Sequence, residues 1–152
     1  MKNKIIALIL CMICIFFLAS CGQSSANNND TKPNIKYVDI YDVVKEAFIT
    51  DNGYTNELAK HMTEEVFKHT NYKKYPANNP KYIEPFKVDF SLNEVCQTKD
   101  KENDLVYVDM IYSTIIKDAN NNMVGGARDA HVTYIVRIDE KGWYIIDMHS
   151  RL

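Results

Sequence analysis

Asp109, His131, Asp147 and His149 are the residues of this chain whose types suit proton transfer. A carboxylate beside an imidazole can pass a proton near neutral pH when burial tunes both groups. The pair works only if neighbouring strands aim it into a pocket that excludes water. Here Thr133, Arg137 and Trp143 fall on the same expected face as His131, Asp147 and His149. That mixture is the composition of a sheet surface open to solvent, so the four stay candidates and no catalytic residue is assigned.

Other reactive types are sparser. His61 and His69 flank Glu64 and Glu65, but no two histidines stand four apart as a helical zinc pair requires. No glycine-rich phosphate loop and no serine elbow occurs, so no metal and no cofactor is expected. Tyr72, Tyr75 and Tyr82 lie in or beside a proline-broken stretch, where an exposed aromatic would mark a binding groove and a packed one only a sheet rim.

The cysteines divide by position. Cys11 and Cys14 sit in an unbroken apolar run from Ile5 to Phe17, behind Lys2 and Lys4, and Leu18-Ala19-Ser20-Cys21 follows directly. The run is too short to cross a bilayer, whereas a basic start, a short apolar core and small residues before a cut describe a secretory signal. Because the small residues lead into a cysteine, the stretch resembles the lipobox of bacterial lipoproteins. The resemblance implies cleavage before Cys21 and a diacylglyceryl group on its thiol. Two acyl chains give the stable membrane anchoring that one does not. Residues 1–20 are then a signal peptide, and the protein sits lipid-anchored on the extracytoplasmic face of a cell membrane. The abundance of Lys, Asn and Ile points to a Gram-positive source.

Removing 20 of 152 residues leaves 132, enough for one domain to bury a core unaided. Taking Lys2 and Lys4 from the 18 basic residues leaves 16 against 20 acidic ones, a net charge of minus 4 with His neutral. That balance does not suit nucleic acid, and Lys73-Lys74 is too small a basic cluster to change it. Cys96 is the one remaining thiol, so no internal disulfide forms; in an apolar strand pattern it reads as a small buried hydrophobe. From Gly22 to about Lys36 Gly, Gln, Ser, Asn, Asp, Thr and Pro dominate with no apolar period, so residues 21–36 read as a flexible tether. Its reach is about 20 Å, which keeps a domain spanning residues 37–152 close to the lipid headgroups.

That domain opens with helices. Ile40, Val43, Val44, Ala47 and Phe48 recur at helical spacing behind Asp39 as N-cap, with Val38 placed to staple against Val43 and Asn52-Gly53 as the stop. Thr55 caps a second segment carrying Leu58, Ala59 and Met62, and Thr63 precedes a third with Glu64 and Glu65 in its first turn. Pro76, Pro80 and Pro85 then exclude regular structure. Four strands follow. Phe86 to Leu92 alternates, Lys99 to Asn103 turns, Leu105 to Ile116 is apolar on both faces, and Val132 to Ile138 alternates again. Gly125-Gly126 is expected to form a bulge that bends the sheet. Glu140-Lys141-Gly142 offers a two- or a three-residue turn. The three-residue form is favoured, because it sets Tyr144, Ile146 and Met148 on the face of Val132, Tyr134, Val136 and Ile138. The two-residue form sends Asp147 and His149 there instead.

Helices first and then an antiparallel meander is an α+β order, with N-terminal helices packed on a strongly bent sheet of about four strands. The helix from Asp39 to Ile49, the stretch Glu57 to Phe67 and the ending Asp139-Glu140-Lys141-Gly142-Trp143-Tyr144-Ile145-Ile146-Asp147 resemble the nuclear-transport-factor-2-like (cystatin-like) superfamily. The resemblance implies a hollow cone rather than a reaction. Relatives in that superfamily include isomerases and dehydratases with Asp and His projecting into the cone, and here Asp109 or Asp147 with His131 would fill those roles. Others are structural parts of conjugation or secretion machinery. The reading favoured on the residues is a non-catalytic module that binds an envelope protein or ligand.

Overall fold

The computed structural model describes residues 35–75 and 79–151, so Cys21, the lipobox and all but the last two residues of the tether lie outside the described residues. Helix α1 spans Tyr41–Ile49, α2 Asn56–Ala59 and α3 Glu64–Thr70, followed by a 3-10 turn at Tyr72–Lys74. Strands β1 (Lys87–Asp100), β2 (Leu105–Lys117), β3 (Met123–Asp139) and β4 (Gly142–Arg151) form one antiparallel sheet in the order β1-β2-β3-β4. The chain is therefore α+β, with an uninterrupted meander.

Local signals account for the short helices. Thr55 Oγ1 accepts from Leu58 N at 3.3 Å and Thr63 Oγ1 from Val66 N at 3.2 Å, each satisfying an amide that a helix start leaves unpaired. Helix α1 starts differently from expectation. Ile40, not Asp39, holds the N-cap position and has no side-chain cap, while Asp39, one residue earlier, accepts from Tyr41 N at 3.4 Å and pairs with Lys36 at 3.0 Å in solvent. Ile40 is fully buried, so core packing fixes the start of α1 where the polar cap signal would not. The carboxyl end is closed from a distance: the Asn71 amide donates to Ala47 O at 2.8 Å and Thr50 O at 3.0 Å.

The core lies between these helices and one face of the sheet. Val44, Ala47 and Phe48 of α1 and Val66 and Phe67 of α3 join Val106, Val108, Met110, Tyr112 and Ile116 of β2 and Val132, Tyr134 and Val136 of β3. Phe48 stacks on Phe90 with ring centroids 3.9 Å apart. The chain enters beside β1, where Gln97 Oε1 accepts from Tyr37 N at 2.7 Å and Val38 N at 3.0 Å, and Gln97 Nε2 donates to Val38 O at 2.7 Å.

Bulges decide which residue faces which way. The final hairpin turns in two residues, Glu140 and Lys141, with Asp139 opposite Gly142, whose φ is +130°. This corrects the three-residue loop. It also moves Trp143 off the face of His131, because Trp143 and Ile145 now oppose Ile138 and Val136 on the core side. A register shift at Ile146 then reverses the alternation, so Met148 opposes Tyr134 while Asp147 and His149 oppose Ile135 and Thr133. Burial of Ile145, rather than of Tyr144 and Ile146, is what the shift accommodates.

The bulges between β2 and β3 likewise fall elsewhere than expected. Gly125 and Gly126 pair regularly with Ile116 and Ile115, and the extra residues fall on either side, at Val124 and at Arg128-Asp129 opposite Ser113. Asp129 takes φ +50°, a conformation that Asp tolerates better than most side chains. The Ser113 hydroxyl holds it, accepting from Asp129 N at 2.9 Å and donating to Asp129 Oδ1 at 3.1 Å. The glycines serve close approach instead: a Cβ on Gly126 would lie 2.7 Å from Thr114 O, and one on Gly125 would lie 3.0 Å from the Tyr75 side chain.

Candidate functional site

All four candidate residues lie on the outer face of the sheet, away from the helices. Asp109 is Cα-paired with Cys96 in β1 and Thr133 in β3. Thr133 Oγ1 donates to one carboxylate oxygen at 2.5 Å and Cys96 Sγ to the other at 3.5 Å. Burial pushes the Cys96 thiol above its ordinary range, and the Asp109 carboxylate adds to the shift. Cys96 is thus a half-buried, protonated donor on the outer face, not the core hydrophobe that its strand pattern suggested.

His131, Asp109, Thr133 and Val95 line a shallow depression of about 110 Å³. The structure brings His131 near Asp109, but no hydrogen bond joins them and both carboxylate oxygens are already engaged. Asp147 Oδ2 and His149 Nε2 lie 3.8 Å apart on the same strand, each more than half exposed. Such a pair stands in bulk water and not in a pocket that excludes it. His61 stacks against Trp143 at 4.9 Å between centroids, and His69 Nδ1 sits 2.9 Å from Glu65 O. Among the described residues no group of three His, Cys, Asp or Glu side chains is placed to hold a metal.

Among the described residues the inner face is occupied by side chains packed under the helices. The void lined by Phe48, Phe90, Tyr112, Val132 and Tyr134 measures about 10 Å³, room for a single water at most. Tyr134 is buried there, its hydroxyl 3.4 Å from Thr70 Oγ1, and burial raises it well above the usual phenol range. Tyr72 is buried with its hydroxyl donating to Asp51, and the Tyr75 hydroxyl meets that of Tyr112 at 3.1 Å. These tyrosines pack; they do not line a groove.

The open space is on the other side. A trough of about 610 Å³ crosses three strands of the outer face at the end of the sheet that carries Gly125 and Gly126, a volume typical of ligand sites. Asp89 and Ser91 of β1, Ser113 and Ile115 of β2, and Met123, Gly126 and Arg128 of β3 line it. Ile115 and Met123 are 44% and 61% exposed, high for apolar side chains in a sheet. Among the described residues Asp89 and Arg128 make no ion pair. No contiguous motif in the sequence announces this trough, because its residues come from three strands and the bulge at Arg128-Asp129 sets their facing.

No family model matches this chain, and no curated protein matches it. Among solved structures it is similar to the intermembrane space region of the chloroplast protein ARC6, at 14% identity over 72% of this chain and 85% of that one, with a TM-score of 0.46.

Proposed function

We propose that this chain is an exported lipoprotein, held at the extracytoplasmic face of a membrane through a diacylated Cys21 and the tether to residue 36. Its folded part is a nuclear-transport-factor-2-like domain that works by binding an envelope partner and not by catalysis. The fold reading is supported by capped helices ahead of a four-stranded meander and by their packing on one face. The observation that carries the functional reading is the open trough of about 610 Å³ on the outer face, set against an inner face whose side chains pack under the helices.

Asp109, His131, Asp147 and His149 do not gather in a dry pocket, which favours binding over isomerase or dehydratase chemistry. Mass spectrometry of the protein from cells tests the anchor. A mature chain beginning at Cys21 with two or three acyl groups is expected, and an intact amino terminus or a free Cys21 thiol overturns it. Photo-crosslinking from Ile115 in native membranes tests the binding role. A discrete crosslinked partner is expected; if crosslinks from Ile115 match those from a site remote on the surface, the trough has no partner.

A further inference from the structure

We infer that the trough takes an extended peptide segment of a partner protein that presents a basic, an apolar and an acidic side chain at positions i, i+2 and i+4. The inference rests on the binding role proposed above and adds the class of ligand. Asp89 and Arg128 stand at opposite sides of the trough, two strands apart and offset by two residues through the pairings Asp89 to Ile115 and Ile115 to Gly126. At about 4.8 Å between strands and 3.3 Å per residue, their backbones lie about 12 Å apart. An extended chain covers about 13 Å from i to i+4 and turns i, i+2 and i+4 to the same side.

The trough therefore matches three successive same-side positions of one strand. Asp89 meets a cation and Arg128 an anion, between them Ile115 offers apolar surface to the middle residue, and Met123 extends that surface on the side away from Arg128. Both charges are exposed and have no ion-pair partner among the described residues, so a ligand need not break a described pair to reach them. The Ser113 hydroxyl is committed to Asp129, which fixes the wall that carries Arg128.

The protein's own leading segment is a poor fit on charge spacing. Between Cys21 and Lys36 its charged residues are Asp30, Lys32 and Lys36, and no two of opposite sign stand four apart. The chain also enters at Gln97, eight residues along β1 from Asp89 and about 26 Å away. A partner's segment meets neither objection.

The test uses the full acylated chain in detergent micelles and the capped probe acetyl-Lys-Thr-Ile-Thr-Glu-amide, read by shifts of Ile and Met methyl resonances. Saturable binding is expected, with the largest shifts at Ile115 and Met123. Asp89→Lys and Arg128→Glu, both at exposed positions, should each weaken it at least fivefold with unchanged thermal melting. The double variant should regain most of the loss, because the probe can lie in the reversed direction. A probe with its charges two residues apart should bind at least fivefold more weakly. No methyl shift up to millimolar probe, or equal affinity across the variants, overturns the peptide. So does self-association of the unliganded chain that the same variants abolish, since that assigns the trough to a second copy. Any of these results leaves the anchoring at Cys21 and the crosslinking outcome standing.

Discussion

The two faces of this sheet use the same strands for opposite purposes. Along β2, Val106, Val108, Met110, Tyr112, Thr114 and Ile116 are buried under the helices, while Tyr107, Asp109, Ile111, Ser113 and Ile115 alternate with them on the open side. The inner face packs closely under the helices. The outer face keeps charge, hydroxyls and apolar surface in contact with water, arranged around a depression. Stability and recognition are thus separated by the two-residue repeat of one strand, and a change on one side should be silent on the other.

The sharpest way to break that contrast is a matched pair of truncations. Met110→Ala on the inner face should lower the unfolding free energy by about 2–5 kcal/mol, read from the urea midpoint at unchanged slope. Ile115→Ala, five residues on and facing out, should cost less than about 1 kcal/mol. Equal losses would mean that the outer face is structural and the trough incidental. Next in size is Gln97→Ala. It frees two amides and a carbonyl near the chain's point of arrival and should cost about 1–3 kcal/mol, with faster amide exchange at Tyr37 and Val38 but not in β2.

How far such differences were readable beforehand depends on what each element needs. Thr55 and Thr63 marked their helix starts because a cap is a matter of residue type three positions ahead of an amide, and strand alternation likewise showed in the types alone. Asp39 misled because Ile40 must be buried, and that demand comes from a sheet not yet visible in the sequence. The last hairpin is more instructive. A one-residue error in the turn and an unforeseen bulge at Ile146 cancel beyond Ile146, so Asp147 and His149 were placed on the correct face for an incorrect reason. Trp143, before the bulge, was placed wrongly. Bulges at Ile146 and Arg128-Asp129 carry no glycine to announce them, and the trough depends on the second.

Smaller effects sharpen the outer face itself. Asp147→Asn removes an exposed pair with His149 and should change stability by less than about 0.5 kcal/mol at pH 6, with no further change on adding salt. A larger loss would show that the pair is more than surface decoration. Least in energy but most specific is the thiol. Because burial and the Asp109 carboxylate raise Cys96, its thiolate appears only at a pH above the ordinary thiol range, and alkylation at pH 8.5 should be slower than for a free cysteine peptide. Asp109→Asn removes one of the two causes and should speed the reaction severalfold. An unchanged rate would separate Cys96 from Asp109 and dissolve the one polar cluster at the centre of the open face.

The Gln97 clasp has a mechanical consequence. Any tension on the leading segment arrives at Val38, whose amide and carbonyl are both gripped by a side chain of β1, before it can reach the first turn of α1. Load is thereby diverted into the hydrogen-bonded strand network, and the short helices covering the hydrophobic interior are spared from being peeled away.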